Sequence, residues 1–396
     1  MEFRYRCSLC GCAYEIDPAL TVCPDCSQNQ TDDQPLHGVL DVELSGEADS
    51  NFDIYDLLPV EKEYFPPIPV GNTPLWEPLN LRRELNLKHL TIKDDGLNPT
   101  FSFKDRASYL VSAFARKHSI NEITLASTGN AGSSMAGVGA AAGQTITLFL
   151  PEKTPIGKLV QALQYGARVY RAAGSYDLAY QLSLEYSRRC GGMNRSTAYN
   201  PMTIEGKKTV SLELYKQLGN RAPDVVFVAV GDACILSGVY RGFEDLLALG
   251  LIPTMPKIVG VQSEDSDVVL QALENNGKFN AQIATTMADS ISVDVPRSGL
   301  HALGRVQKHG GELIRVSDEE IIAAQARLSA STGLFAEPAA AAAFAGLLKK
   351  TPELDRDAVI TVLSTGNGLK DSQSALKGVK MPEQLIHSVS DILGEG

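Results

Sequence analysis

The sequence is short of cysteine, of positive charge and of long apolar runs, and each shortage excludes something. Seven cysteines in 396 residues are too few for a disulfide framework. Four of them are grouped as metal ligands, which suits a reducing cytoplasm, the expected location. Lys and Arg number 36 against 47 Asp and Glu, a net charge of −11. That balance argues against a chain that coats nucleic acid. No apolar run approaches the roughly 18 residues that cross a bilayer, so no membrane partner is expected. Met1-Glu2-Phe3-Arg4-Tyr5-Arg6 leads into cysteines and not into an apolar core, so no signal peptide is expected. Internal repeats and low-complexity tracts are also missing. What is there, at 44% apolar residues, suits a globular chain of two or three domains.

Residues 1–30 read as a separate unit. Cys7-Ser8-Leu9-Cys10 and Cys23-Pro24-Asp25-Cys26 are two CxxC knuckles with twelve residues between them. Four thiolates close a tetrahedral Zn²⁺ site with no open position, so the ion is structural. The knuckle spacing looks like a zinc ribbon, with Cys12 as a bystander, although thiolate softness alone does not separate zinc from iron. Residues 31–64 read as a connection, irregular or with a short hairpin around Gly38-Val39-Leu40. Pro66-Pro67 then imposes an extended entry into the main body.

From there strands and helices alternate. Lys88–Lys93, Glu122–Ala126, Thr145–Leu150, Ala167–Arg171, Asp224–Val230, Lys257–Gln262, Glu312–Val316 and Ala358–Leu363 read as strands. Helices are expected over Gly157–Tyr165, Ser175–Arg189, Ile204–Leu218 and the Ala339–Ala345 run behind Pro338. Apolar strands alternating with helices predict parallel sheets covered on both faces.

The stretch Asn98-Pro99-Thr100-Phe101-Ser102-Phe103-Lys104-Asp105-Arg106 starts a helix. Ser102 and Asp105 form a capping-box pattern. Phe103, Ala107, Leu110, Val111 and Phe114 mark its buried face. Lys104 falls in the first turn, where the helix dipole and burial between two phenylalanines would lower its pKa. A lysine of that kind forms Schiff bases; the plain alternative is a surface lysine.

Three further loops follow strands, where open parallel sheets bind ligands. Ser127-Thr128-Gly129-Asn130 precedes a helix N-terminus and would fit a carboxylate, or is an ordinary cap. Gly231-Asp232-Ala233-Cys234-Ile235 could cradle a phosphate with backbone N–H groups. It is not a Walker A loop, because no Gly-Lys-Ser/Thr follows. Ser364-Thr365-Gly366-Asn367-Gly368 offers hydroxyls, or is a tight turn. Gly137–Gly143 imitates a dinucleotide fingerprint, but it lies inside a helix, where small residues serve close packing.

Together these loops, in this order, resemble the fold-type II pyridoxal-phosphate enzymes and, within them, the threonine synthases. The remaining matching pieces are Asn200-Pro201, Glu205-Gly206-Lys207-Lys208-Thr209, Phe335-Ala336-Glu337-Pro338 and Thr365 through Asp371. The resemblance implies an α/β fold of two open, mostly parallel sheets covered by helices. It implies a large domain of residues 65–106 and 204–396 and a small domain of 107–203, behind the ribbon. By the same resemblance Lys104 carries the cofactor and acts as the base. Asn130 bonds the ring's 3-oxygen, Gly231, Asp232, Ala233, Cys234 and Ile235 wrap its phosphate, and Thr365 meets the pyridine nitrogen. Ser127 and Thr128 take the substrate carboxylate. The implied reaction converts the phosphorylated amino acid O-phosphohomoserine and water to threonine and phosphate. A homodimer is implied by family analogy.

Some positions depart from the family pattern. Threonine synthases usually read Asn-Ser-x-Asn-Pro-x-Arg before Glu-Gly-Gln-Lys-Thr. Here Ala198 and Thr203 replace the serine and the arginine, which help to grip the substrate phosphate. A lost arginine removes a contact worth about 1.5–3 kcal/mol. Phe101 replaces a glycine and is expected to narrow the pocket. Asp232 needs an offsetting cation, for which Arg241 or Lys208 is available. Arg297 or His301 is a candidate substitute grip. These departures keep other readings open: β-replacement on O-phosphoserine as in cysteate synthase-like enzymes, deamination of serine or threonine, or a catalytically silent protein with an interaction ribbon.

Overall fold

The computed structural model describes residues 1–152, 154, 159–173, 176–383 and 385–393. At the N-terminus β1 (Glu2–Cys7), β2 (Ala13–Tyr14) and β3 (Leu40–Ser45) form an antiparallel sheet in the order β2-β1-β3. The third strand comes from the polar connection, at the place where a hairpin was one reading. Gly38 leads into it at φ 71, and a Cβ there would lie 2.8 Å from the Cβ of Cys23. Only glycine lets that turn close over the knuckle.

Two sheets build the body. The chain lays down β4 (Leu75–Trp76) and β5 (His89–Asp94). It then makes a separate sheet from β6 (Glu122–Ala126), β7 (Thr145–Pro151), β8 (Arg168–Ala172) and β9 (Met193–Asn194). It returns with β10 (Val225–Ala229), β11 (Lys257–Ser263), β12 (Glu312–Val316) and β13 (Val359–Ser364). The larger sheet has the order β12-β11-β10-β13-β5-β4 and the smaller β8-β7-β6-β9. Every pairing in them is parallel except β4 with β5. The eight expected strands all form, with ends shifted by a residue at most places. Their continuous apolar runs need cover on both faces, as parallel strands do.

The helices supply that cover. In chain order they are α1 (Leu79–Leu85), α2 (Lys104–Lys117), α3 (Asn130–Ala142), α4 (Val160–Gln164), α5 (Tyr176–Cys190), α6 (Pro201–Lys207), α7 (Thr209–Gln217), α8 (Cys234–Ala248), α9 (Val268–Glu274), α10 (Gly299–His309), α11 (Asp318–Thr332) and α12 (Pro338–Lys350). Strand alternation is visible in β10. Val226 and Val228 pack with Leu212, Val239 and Phe243 of α7 and α8. Phe227 faces the other way, against Ala341 and Phe344 of α12. The Ala-rich run is therefore buried sheet cover. In α3, a Cβ on Gly137 would lie 2.6 Å from Thr100 Cγ2, so its small residues do serve close packing.

Some local expectations fail. The capping box does not form. Ser102 Oγ is buried without a partner, and Asp105 accepts from the Thr100 N–H at 2.8 Å and from its hydroxyl. Ser102 is held instead in a β-bridge with Gly366, which takes it away from the capping position. The helix expected over Ile204–Leu218 starts earlier, behind an Asn200 cap, and breaks at Lys208. Lys208 is wholly buried there, its ammonium placed between Glu205 and Asp245. Residues 157, 158 and 175, expected to open two helices, lie outside the described residues. Among the described residues no helix is long and apolar enough to cross a membrane.

Candidate active site

Strands β10, β13 and β5 are neighbours in the larger sheet, so the loops beyond their carboxyl ends converge. Lys104 opens α2 after β5, residues 231–235 lead from β10 into α8, and Thr365 follows β13. All of these line one cavity, Lys104, Gly231, Asp232, Ala233, Cys234, Ile235 and Thr365 together. The backbone ties the loops to each other. The Phe103 N–H donates to the Thr365 carbonyl at 2.9 Å, and the Asn367 N–H to the Phe101 carbonyl at 3.1 Å.

Asn130, first residue of α3, lines an adjoining cavity. Ser290 and Glu337 line both cavities and so stand at their junction. The Asn130 amide nitrogen is 3.0 Å from each Glu337 carboxylate oxygen. Burial pushes the Glu337 carboxyl up, and the Asn130 hydrogen bond opposes it. The same burial pulls Lys104 below its ordinary value, and the Glu337 carboxylate pulls the other way. Burial beside this cavity, and not a pair of phenylalanines, is therefore the cause: Phe101 is 46% exposed. Phe101 lies outside the lining of both cavities and does not narrow them. Its φ is 70, in the left-handed region where glycine is the comfortable residue.

The 231–235 loop is shaped as an anion cradle. Ala233 caps α8 in the left-handed conformation, φ 64, which turns successive N–H groups toward one side. A Cβ on Gly231 would lie 2.6 Å from Ile291 Cα, so no side chain can intrude. Asp232 is not offset by Arg241 or Lys208. Those cations are taken by Asp245, Glu244 and Glu205. The Asp232 carboxylate turns back to the Arg297 N–H at 2.6 Å and the Cys234 thiol at 3.1 Å. Burial raises its pKa.

Ser127 and Thr128 immediately precede Gly129 and Asn130 of the adjoining cavity but are not among the lining residues of either cavity. The Ser127 hydroxyl accepts from the Gly129 and Gly132 N–H groups, at 3.3 and 3.0 Å. Arg297 and His301 are also elsewhere. Arg297 bonds the Asp32 and Gln34 carbonyls, and His301 lies between Ser237 and Asp41. Ala198 is buried in a small apolar cluster with Ile204 and Cys234. The Thr203 hydroxyl is used by the Asn200 carbonyl at 2.8 Å. Neither is itself among the residues that line the cavity. Four residues that sequence reasoning missed do line it: Arg195, Thr197, Lys207 and Glu337. For Lys207 and Glu337 a signal existed, since both lie inside motifs already singled out.

At the far end, the thiols of Cys7, Cys10, Cys23 and Cys26 lie within 4.8 Å of one another. Cys7–Cys26 and Cys10–Cys23 are each 3.7 Å apart. Sulfurs about 2.3 Å from a tetrahedral zinc stand about 3.8 Å from each other, so the cluster has the dimensions to hold a metal ion.

The main cavity fits pyridoxal phosphate by its donors. It offers a buried primary amine, a backbone cradle at the N-terminus of a long helix, and a hydroxyl at Thr365. The buried hydroxyls of Ser102 and Ser364, close to Lys104 and Thr365 in sequence, have no partner among the described residues. Residues 68–366 match the family model described as pyridoxal-phosphate dependent enzyme. A threonine synthase of Methanocaldococcus jannaschii is 33% identical, over 95% of both chains. One from Methanosarcina acetivorans is 32% identical over 96% of this chain and 95% of its own. In fold, the chain is similar to the processed form of threonine deaminase isoform 2 from Solanum lycopersicum. That match has a TM-score of 0.69 at 21% identity, over 85% of this chain and 96% of that one. A motif order read from the sequence, a cavity that unites the lysine, 231–235 and Thr365 loops, and these matches agree: the chain belongs to the pyridoxal-phosphate dependent enzyme family, among the relatives of threonine synthases.

Proposed function

We propose that this chain converts O-phosphohomoserine and water to threonine and phosphate. The observation that carries the reading is the meeting of Lys104, the 231–235 loop and Thr365 in one cavity. Curated threonine synthases matching nearly the whole chain support it. Pyridoxal phosphate would supply an electron sink for carbanion chemistry at the substrate.

The protein's residues do the rest. Lys104 would hold the cofactor through its side-chain amine, and with substrate bound that amine is the group placed to take the Cα proton. Burial pulls that amine's pKa below its ordinary value, which eases the loss of its proton. The N–H groups of 231–235 would hold the cofactor's phosphate, Asn130 its ring oxygen and Thr365 its ring nitrogen. A hydroxyl there, unlike a carboxylate, does not enforce a protonated ring, which favours elimination and replacement over transamination. The C–O bond at Cγ breaks with departure of phosphate. A Cβ proton is also removed and a proton is added at Cγ. The oxygen of water then bonds to Cβ as water gives up a proton, a proton returns to Cα, and the remaining proton leaves with the phosphate, with Lys104 as carrier. Ser127 and Thr128, with the α3 N-terminus, receive the substrate carboxylate. Cys7, Cys10, Cys23 and Cys26 hold a structural zinc. A biosynthetic role of this kind fits a cytoplasmic enzyme.

The test is phosphate release from O-phosphohomoserine by cofactor-loaded protein, with threonine and 2-oxobutyrate both quantified. One threonine per phosphate is expected. No phosphate release would overturn the substrate, and O-phosphoserine, serine and threonine would be tried next.

A further inference from the structure

The segment in which the family pattern carries its phosphate-gripping serine and arginine has neither here, yet the cavity is not short of cations. Lys207 stands where that pattern has glutamine. It is 3% exposed. Its stem packs against α8, since a Cβ on Gly238 would meet the Lys207 Cβ and backbone. It lines the main cavity together with Arg195 and Thr197. It has no hydrogen-bond partner among the described residues, whereas its neighbour Lys208 is fully paired.

Two more groups share that wall. Arg195 is buried, and the bonds it makes to the Ser108 hydroxyl and the Lys104 carbonyl are long, 3.4 and 3.5 Å. Thr197 has φ 40, a strained value for a β-branched residue, and its hydroxyl is buried without a partner among the described residues. The buried Lys207 ammonium and the orphaned Thr197 hydroxyl are costly unless something answers them. A phosphate monoester answers both.

We propose that Lys207, with Arg195 and the Thr197 hydroxyl, forms a subsite for a phosphate monoester dianion and takes the phosphate of the substrate. This deepens, and rests on, the reading of the substrate as a phosphorylated amino acid. It replaces the grip lost at Ala198 and Thr203 with charge from 195 and 207. The serine and arginine of the pattern are dispensable because the cations arrive from the flanks of the same segment.

The experiment uses cofactor-loaded wild type, Lys207→Met and Lys207→Arg, with inorganic phosphate and O-phosphohomoserine as probes. Phosphate is expected to raise the Tm of the wild type and of Lys207→Arg, but not of Lys207→Met. The KM for O-phosphohomoserine is expected to rise roughly 10- to 100-fold in Lys207→Met, the range for one charged hydrogen bond, with a smaller change in kcat. The arginine variant should recover most of the loss, which also shows that the site still folds. Equal phosphate stabilisation of wild type and Lys207→Met would overturn the subsite. A loss of affinity for pyridoxal phosphate but not for pyridoxal, with substrate KM unchanged, would overturn the substrate assignment and give the cation to the cofactor's phosphate. If O-phosphohomoserine is not turned over by wild type while the Lys207-dependent phosphate effect persists, the subsite stands and the substrate reading falls.

Discussion

Asn130 and Glu337, 207 residues apart, meet where the two body sheets face each other, the amide nitrogen 3.0 Å from both carboxylate oxygens. Asn130 opens α3, which covers the smaller sheet, and Glu337 caps α12 on the larger one. The contact thus fixes the residue assigned to the cofactor ring against the opposite half of the molecule. Asn130→Ala is expected to lower kcat/KM tenfold or more, on the scale of about 1–3 kcal/mol for an unsatisfied buried group. It should also shift the visible absorbance of the bound cofactor. An unchanged spectrum would remove Asn130 from the site.

Gly366 is packed onto the same carboxylate, with the whole Glu337 side chain inside the reach of an added Cβ. Glu337 cannot retreat, because it is buried and tied to Asn130. Gly366→Ala is therefore expected to cost cofactor affinity, measured by titration of apoprotein with pyridoxal phosphate. Thermal stability should change less than affinity does.

Below the site, Arg106 and Lys93 share Glu213. Arg106 Nη1 is 2.6 Å from one oxygen and Lys93 Nζ 2.6 Å from the other. Burial would raise the Glu213 pKa, but the two cations prevail and hold it at about 2. The ordinary value is 4.5. A depressed carboxylate pKa stabilises the fold above the ordinary value. That contribution is lost as pH falls from about 4.5 to about 2. Glu213→Gln strands two buried cations and is expected to cost about 3–5 kcal/mol in denaturant unfolding at pH 7. The acid-induced loss of stability should become shallower over that same window.

Lys207 carries the opposite sign. Burial is the main cause that pulls it down to about 8, against 10.5 unfolded, so its charge costs the apoprotein stability. The cost is fully present below pH 8 and relieved between 8 and 10.5. Two to three units correspond to a cost on the order of 3 kcal/mol. Lys207→Met is expected to raise the apoprotein Tm at pH 7, and differential scanning calorimetry would show it. A binding residue that destabilises the empty fold is the pattern expected of a functional group.

The sulfur cluster belongs to a sheet that is locked to the body. Asp41, on β3, accepts from His301 at 2.8 Å and from Arg305 at 2.7 Å, both on α10. The Arg241 guanidinium of α8 donates to the Val42 carbonyl at 2.8 Å. Removing the metal with a thiol-competing chelator is expected to release one zinc per chain and to lower the Tm of the whole protein. Release without any change in Tm would show that the ribbon is energetically separate.

The strands were legible because parallel strands buried on both faces are continuous apolar runs such as Val225–Ala229. Lys104, the 231–235 loop and Thr365 were legible because each follows such a strand. Arg195, Thr197 and the role of Glu337 were not, because their place on the cavity wall depends on how the inserted sheet docks. Charge alone misled at Arg297 and His301, whose partners come from residues 32–41, far away in sequence. At Lys207 the signal was present: of two adjacent lysines, only Lys208 could be expected to pair with Glu205 three residues before it.

Two amines, Lys104 and Lys207, line the main cavity, and only one should bear the cofactor. Borohydride reduction of the cofactor-loaded protein, followed by peptide mass spectrometry, separates them. The modification is expected on Lys104 alone and absent from Lys104→Ala. A pyridoxyl group found on Lys207, or on neither lysine, would contradict the central assignment.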